Sequence, residues 1–194
     1  TPSLSHLFGT DWVGRDMLTR TIKGLSLSMK IGLLATLTST IIAIILGIIG
    51  PTFGRRVDAV VTWFIDLVLS VPHTLVVILI SIAMGGGLKG IVVGVAATHW
   101  TSLTRVIRAE VMQIMESDYT KISKNFGKSN WYIAKEHILP HVIPQIIVNA
   151  VLIFPHAILH EASVTFLGFG LPPHEPAIGI ILSESMKYLN SGRW

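Results

Sequence analysis

Long apolar runs alternate along the chain with short polar segments. The clearest run is 31–54, which has no charged residue, and a helix needs about 20 apolar residues to cross the hydrocarbon core of a bilayer. Three further runs have suitable lengths, and they cover residues 59–84, 88–104 and 140–169. The pattern therefore predicts four membrane-spanning helices. Proline is tolerated in such helices, and we expect a kink at Pro72 in the second and breaks at Pro144 and Pro155 in the fourth.

The composition supports a membrane protein over a soluble one. Of the 194 residues 51% are hydrophobic and only 13% are charged, and the mean hydropathy is +0.64, whereas soluble domains carry about 25% charged residues. The net charge of +4 does not indicate nucleic acid, because the basic residues interrupt apolar runs and form no stripe with aromatic partners. The absence of cysteine excludes disulfides, zinc-thiolate sites and a cysteine nucleophile. The lipid bilayer is the partner that the composition predicts.

The distribution of lysine and arginine predicts the orientation of the helices. Eight basic residues lie in the connection between the first two spans and in the segment that follows the third: Arg55, Arg56, Arg105, Arg108, Lys121, Lys124, Lys128 and Lys135. The opposite side has three: Lys89, Lys187 and Arg193. Because basic loops stay on the cytoplasmic side, we expect residues 105–139 to be cytoplasmic and 170–194 to be an external loop. Residues 1–30 then form an external amphipathic segment, although its four basic residues oppose the rule.

The polar segment between the third and fourth spans has the pattern of two short helices. Tyr119, Ile122 and Phe126 stand at helical spacing, and Gly127 follows them, as a helix-terminating glycine does. Ser129 or Asn130 can cap a second helix. The segment is either a solvated loop lying on lipid headgroups or a docking element for a soluble partner.

Gly127, Lys128 and Ser129 also resemble the end of a phosphate-binding loop. That motif requires a second glycine five positions earlier, where this chain has Ile122. We therefore expect no ATP binding through these residues.

The same segment resembles the coupling loop of ABC importer permeases. In that family a Glu-Ala-Ala triplet precedes a glycine, and an Ile-x-Leu-Pro sequence follows it. In this chain Gly127 and residues 138–140 (Ile-Leu-Pro) stand near the expected places, whereas Lys121, Ile122 and Ser123 stand where the family has Glu-Ala-Ala. The chain thus lacks the glutamate that makes the family's usual contact.

Two further stretches are similar to the peptide and nickel importer permeases. Residues 8–20 (FGTDWVGRDMLTR) are similar to a segment before the family's second helix, and residues 161–173 (EASVTFLGFGLPP) to one after its fifth. With the Asp66-x3-Ser70-x-Pro72 pattern, the resemblance covers nearly the whole chain. By the family's plan, one helix is expected before Thr1 and one after Trp194, giving six in the full protein.

The resemblance implies an all-α, polytopic bundle that forms one permease subunit of an importer. Its implied partners are a second permease, two cytoplasmic ATPase subunits and an external substrate-binding protein. The ATPase subunits would use ATP, and this chain would bind no cofactor and catalyse no reaction. The residues that the resemblance implies for coupling to the ATPase are Tyr119, Lys121, Ile122, Ser123, Phe126 and Gly127.

Ionisable residues inside membrane spans usually line a cavity or pathway. The candidates for the substrate pathway are Asp66, His73, His99, His156, His160 and Glu161. Asp66 and His73 are seven residues apart, so we expect them to share a helix face. His156 and His160 are one turn apart, beside Glu161. Neutral imidazole suits nickel, copper and zinc, but membrane histidines also serve as hydrogen-bonding groups, and we assign no metal ligand.

Nickel is the cargo favoured by the histidine content, and di- or oligopeptides follow closely. An alternative is a secondary transporter driven by an ion gradient, with Asp66 and Glu161 as proton relays. Such transporters show internal repeats, which this sequence lacks. A membrane metalloprotease is excluded at His160-Glu161, because the HExxH motif would need histidine at the position of Val164.

Glycines at positions 86, 90 and 94 form two overlapping GxxxG spacings near the start of the third span. Small residues one turn apart let two helix backbones approach closely. Glycine is also generally common in membrane helices. The spacing therefore leaves two explanations open, a helix-packing face or background composition.

Overall fold

The computed structural model describes residues 2–4 and 6–189, so that Thr1, Ser5 and residues 190–194, among them Arg193 and Trp194, lie outside it. Within the described part, the regular structure is helical, with one isolated β-bridge between Thr10 and Asp16. The helices are α1 (Met17–Thr52), α2 (Arg55–Leu69), α3 (His73–Ala83), α4 (Gly87–Glu116), α5 (Asp118–Asn125), α6 (Asn130–Ile133), a π-helical turn (Ala134–Ile138), α7 (Leu139–Phe166) and α8 (Ile178–Met186). The predicted all-α class is confirmed.

Two stretches of the described chain are long and apolar enough to cross a membrane. They are α1 and the helical stretch Asn130–Phe166, and α2 with α3 adds a third if that bent pair is one span. Helix α4 has 30 residues and is long enough, but its composition is less apolar than that of these stretches. The multi-pass character is therefore supported, and the count of four spans stays a prediction.

The second predicted span is broken instead of kinked. Helix α2 ends at Leu69 and α3 begins at His73, and the two are bent by 89°. Pro72 explains the break, because it has no N–H to donate and it disfavours the helical conformation at the residue before it. The expectation that Asp66 and His73 share a helix face is wrong, because they belong to different helices.

The other helix boundaries also differ from the predicted ones. Helix α7 continues through Pro144 and Pro155, so the expected breaks are wrong. Proline removes one backbone hydrogen bond, and a membrane helix can continue when that group is satisfied locally. Helix α1 begins at Met17, well before the predicted start at Ile31. Arg20, a charged residue near its start, is paired with Asp11 and Glu184.

The described chain forms two compact units. The first comprises Thr1–Ala35, Val76–Val95 and Pro155–Trp194. Its buried apolar core is formed by Ile31, Ala35, Val77, Ile91, Val95, Ala157, Val164, Leu171, Ala177 and Ile180.

Close packing of α3 and α4 in the first unit depends on two glycines. A Cβ atom added at Gly90 would lie 2.9 Å from the carbonyl oxygen of Ser81, and one added at Gly94 would lie 3.0 Å from that of Val77. Gly86 precedes α4 and has a φ of 75°, so it is a turn residue. The packing explanation of the GxxxG spacing is confirmed for Gly90 and Gly94 and is wrong for Gly86.

The second unit comprises Thr36–Leu75 and Ala96–Phe154. Its buried core includes Ala43, Val61, Ile65, Leu103, Ile107, Val111, Ile114, Ile133, Ala134, Ile138 and Val142. Helices α1 and α4 approach closely here, since a Cβ atom at Gly47 would lie 2.8 Å from the side chain of Ile107. This core anchors the segment that contains α5, α6 and the π-helical turn.

Candidate functional site

Helix α5 ends in the arrangement that its sequence predicts. Gly127 has a φ of 76°, its N–H donates to the carbonyl of Lys124 (2.9 Å), and the N–H of Lys128 donates to that of Ser123 (3.2 Å). These two bonds and the left-handed glycine define a Schellman motif. The predicted end of the helix at Gly127 is confirmed.

The same helix exposes a line of apolar side chains. Tyr119 is 47% exposed, Ile122 54% and Phe126 80%, and we call these three residues the α5 stripe. Thr120 is fully buried on another face of the helix. Of the other residues predicted to couple to an ATPase, Lys121 and Gly127 are exposed, and Ser123 is half-buried. An apolar surface therefore lies in the segment that the sequence describes as either a solvated loop or a docking element, and the side chains of Ile122 and Phe126 are more than half exposed there.

Helix α6 begins as predicted, with Ser129 as its N-cap. The Ser129 hydroxyl accepts a hydrogen bond from the backbone N–H of Tyr132 (3.2 Å). The chain then enters the π-helical turn, in which Ala134 and Ile138 are buried with Ile133 in the core of the second unit. The α6 segment is therefore fixed at its base, while Trp131 remains 68% exposed.

A histidine outside the predicted coupling and pathway residues links these helices. His137 lies in the π-helical turn, and its Nε2 is 3.2 Å from the hydroxyl oxygen of Ser123. Its ring also meets those of Tyr119 and Tyr132 edge to face, with centroid distances of 5.7 and 5.8 Å. The sequence signal for this cluster is weak, since the residues are separated by irregular spacings.

Two of the predicted pathway histidines contact each other in the second unit. The Nε2 of His73 lies 3.2 Å from the Nδ1 of His99, and the hydroxyl oxygen of Thr98 lies 3.0 Å from the same Nε2. The rings are edge to face at 4.5 Å. His99 is buried and His73 half-buried. This pair agrees with the hydrogen-bonding role that the sequence left open for membrane histidines.

Asp66 lies on the surface of the second unit. Its carboxylate accepts a hydrogen bond from Nη2 of Arg105 at 2.8 Å, and the side chains are 59% and 54% exposed. A paired, exposed carboxylate of this kind contributes little to stability. The second unit also contains the pathway candidates His73 and His99. Among its described residues, the structure shows no hydrogen bond or ion pair from Asp66 to either of them.

The three pathway candidates on α7 differ in their environment. In the first unit His156 is exposed, His160 is half-buried and Glu161 is fully buried. The Thr165 hydroxyl donates to Oε1 of Glu161 at 2.9 Å. The other carboxylate oxygen and the nearby Ser28 hydroxyl are buried without a hydrogen bond of normal geometry among the described residues. Glu161 is thus part of the interior of the unit.

The N-terminal motif has a clear structural role in the first unit. Asp11 accepts hydrogen bonds from the backbone N–H groups of Val13 (2.9 Å) and Arg15 (2.8 Å). Arg20, which is 6% exposed, pairs with Asp11 at 3.3 Å and with Glu184 of α8 at 2.5 Å. These bonds tie residues 11–15 to α1 and α8, a connection between distant parts of the sequence that local patterns do not predict.

Asp16 caps the first turn of α1 by accepting the N–H of Thr19 at 2.8 Å. The Thr19 hydrogen bonds, together with a weaker one from His6, hold the pKa of Asp16 below its usual range. The cap explains how a helix can begin among polar residues.

Several proteins with sequences similar to this chain are named as components of peptide transport systems. The chain is 35% identical, over its whole length, to the dipeptide transport system permease protein DppC of Bacillus subtilis (strain 168), of which it covers 60%. It is 33% identical over 95% of its length to DppC of Lactococcus lactis subsp. cremoris, of which it covers 54%. It is 32% identical over its whole length to the oligopeptide transport system permease protein OppC of Bacillus subtilis, of which it covers 63%.

The chain thus spans 54–63% of the length of these curated relatives. A family profile described as "binding-protein-dependent transport system inner membrane component" matches residues 39–190. That match includes most of the helices described above. The chain belongs to the family of binding-protein-dependent transport system inner membrane components.

Proposed function

We propose that this chain is a permease subunit of an ABC-type importer of di- or oligopeptides. The observation that carries the proposal is the α5 stripe, an exposed apolar surface in the segment that resembles the family's coupling loop. An eight-residue helix is too short to be stable by itself in water, so the fold keeps it and its exposed face in place. A soluble partner is the occupant that this surface fits.

The proposed partner at this surface is a cytoplasmic ATPase subunit. The positive-inside distribution supports the cytoplasmic side, because residues 105–139, which include α5 and the π-helical turn, carry six of the 15 lysine and arginine residues. Nucleotide-driven movement of the ATPase would displace α5. The helical stretch Asn130–Phe166 would carry that movement toward the membrane. ATP would be hydrolysed by the partner, and this chain would supply no catalytic group.

The remaining proposed partners are a second permease and an external substrate-binding protein. The description of the family names a binding protein as the component on which transport depends. A transport pathway formed by two permeases also gives a use for the exposed apolar side chains of α7, such as Val151 (66% exposed) and Leu159 (64% exposed).

We propose peptides, in preference to nickel, as the cargo. The names of three relatives refer to dipeptide or oligopeptide transport. Nickel, which the histidine content favoured, stays a prediction. The mutual contact of His73 and His99 gives these two imidazoles a role that requires no ion.

The test uses liposomes that contain the full-length permease pair with its ATPase subunits and binding protein. Uptake of a labelled dipeptide and of radioactive nickel is measured in parallel, with ATP, without ATP and with an imposed proton gradient. We expect ATP-dependent dipeptide uptake. Uptake driven by the gradient alone would contradict the proposal and support the secondary transporter, and ATP-dependent uptake of nickel alone would replace the cargo.

The docking role is tested with Phe126→Asp and Ile122→Asp. A charge in an apolar contact surface should reduce co-purification of the ATPase at least tenfold, since interface hot spots contribute about 2 kcal/mol or more. Lys124→Ala is the matched control, because Lys124 is exposed on α5 outside the stripe. Normal co-purification of both aspartate variants would contradict docking at α5.

A further inference from the structure

His137 occupies a position from which one side chain contacts both short helices of the coupling segment. It shares a hydrogen bond with Ser123 of α5 at 3.2 Å. Its ring packs edge to face against Tyr119, also of α5, and Tyr132 of α6, with centroids within 6 Å. We call this group of four side chains the His137 cluster. Edge-to-face aromatic packing at such distances is favourable.

The backbone beneath His137 gives it a fixed base. It belongs to the π-helical turn Ala134–Ile138, and π-helical turns within α-helices often occur at functional sites. Ile133, which precedes the turn, and Ile138, its last residue, are both fully buried. The imidazole is therefore attached to a part of the second unit that its core holds rigidly.

The connection between α5 and α6 is otherwise short and exposed. Residues 126–130 are all exposed, and Gly127 has a conformation in which other residues are strained. Lys128 contributes one further contact, with its ammonium group 4.7 Å from the centre of the Tyr132 ring. The His137 cluster is thus the contact that joins the stripe residue Tyr119 directly to the turn that leads into α7.

We propose that His137 is a positioning residue that holds the α5 stripe in a fixed orientation relative to the turn that continues into α7. It would do this through Ser123 and Tyr119, without touching the partner itself. This inference rests on the proposed coupling function. A rigid connection of this kind would convert displacement of α5 into displacement of α7, whereas a loose one would let α5 move alone.

The first experiment measures coupling in the full importer complex. His137→Ala should leave ATPase co-purification within about twofold of wild type. It should lower dipeptide uptake per ATP hydrolysed at least fivefold, because residues in contact can have interaction energies large enough for a change of about that size. His137→Gln keeps a hydrogen-bonding group and His137→Phe keeps the aromatic edge, so each should restore part of the loss. His141→Ala is the matched control, since His141 is an exposed histidine one turn further on that lies 3.7 Å from Glu110.

A second experiment measures the orientation of α5 directly. Because the chain has no cysteine, spin labels can be attached at Lys124→Cys and Lys135→Cys, which are exposed positions on α5 and in the π-helical turn. The distance distribution should be narrow in the otherwise unchanged chain and in His141→Ala, and clearly broader in His137→Ala.

Each outcome decides for or against the positioning role. A narrow distribution in His137→Ala overturns it, as does an equal loss of coupling in His141→Ala. If the unaltered complex shows no ATP-dependent uptake, the proposed function fails, while the label distances still decide whether His137 orients α5.

Discussion

Arg108 holds the carboxylate of Asp58 with two parallel hydrogen bonds. Nε lies 2.5 Å from Oδ1 and Nη2 lies 2.6 Å from Oδ2. Asp58 belongs to the first turn of α2 and Arg108 to α4, and the side chains are only 17% and 26% exposed. Bidentate pairs of this type are among the stronger hydrogen-bonded contacts. The pair fixes α2 against α4 within the second unit.

We expect Asp58→Asn to destabilise the protein by about 1–3 kcal/mol, because it leaves a largely buried guanidinium without its charged partner. Asp66→Asn is the matched control, since the Asp66–Arg105 pair is more than half exposed and should contribute less than about 1 kcal/mol. Thermal unfolding of the purified complex in detergent measures both. Equal shifts in the unfolding temperature would contradict the structural difference between the pairs.

Close contact of α3 and α4 gives a second prediction. Gly90→Ala places a methyl group 2.9 Å from the Ser81 carbonyl oxygen, and backbone atoms cannot yield as a flexible side chain can. Overpacking of this kind costs about 1–3 kcal/mol. Val93→Leu on the same helix serves as the control, because Val93 is 41% exposed. Thermal unfolding should show a loss for Gly90→Ala and almost none for Val93→Leu.

The sequence predicted those features that depend on local chemistry. The left-handed glycine at 127 follows from a few neighbouring residues, as does the cap at Ser129, one of the two candidates. The close approach at Gly90 and Gly94 is one of the two explanations that the GxxxG spacing leaves open. The all-α class follows from the long apolar runs. The position of the disruption at Pro72 was predicted correctly, but the structure has a break of 89° there and not the expected kink. A proline in the sequence indicates where a helix is disrupted and not by how much.

The features that the sequence did not predict depend on contacts between distant positions. The partner of Arg20 is Glu184, 164 residues away, and His73 meets His99 across a gap of 26 residues. The early start of α1 includes the same kind of contact, because its largely buried Arg20 is paired with Asp11 and Glu184. A single sequence shows which polar residues are present, but it does not show which of them are hydrogen-bonded or ion-paired to each other.

We expect most substitutions of Gly127 to weaken the coupling between the ATPase and transport. Its φ of 76° is strained for residues with a Cβ atom, by about 1–2 kcal/mol, although no atom would contact an added Cβ. We expect Gly127→Val to loosen the end of α5 and to reduce ATP-dependent uptake, while Gly127→Asn, which tolerates this conformation better, retains most of it. Uptake and ATPase co-purification are measured on the same preparations. Full uptake by the valine variant would show that the helix end is irrelevant to coupling.

The cap of α1 should respond to acid. The pKa of Asp16 lies below its usual range because its ionised form accepts hydrogen bonds from Thr19 and, more weakly, from His6. The stabilisation from the ionised cap is therefore complete above the pKa of the unfolded chain, and it is lost as the pH falls through the lowered value in the folded chain. Hydrogen exchange at the Thr19 amide should accelerate over that acidic range and stay unchanged around neutral pH.

Asp16→Asn removes the titration and is the control for the acid response. Asparagine can still accept the Thr19 N–H, so exchange at neutral pH should remain slow, and the acid-dependent acceleration should disappear. An acceleration of equal size in this variant would assign the pH response to another group.

Glu161 separates the importer from the transporter driven by a proton gradient. Its carboxylate is fully buried and accepts the Thr165 hydroxyl at 2.9 Å, and an isosteric amide oxygen can accept the same bond. We therefore expect Glu161→Gln to retain ATP-dependent uptake, because a structural acceptor does not need to change its charge. Glu161→Ala should destabilise the protein by about 1–3 kcal/mol, since it leaves the Thr165 hydroxyl without that acceptor. Uptake and thermal unfolding are measured for both variants. Loss of all uptake in Glu161→Gln, with unchanged thermal stability, would instead require a protonation step at Glu161 and would favour the gradient-driven alternative.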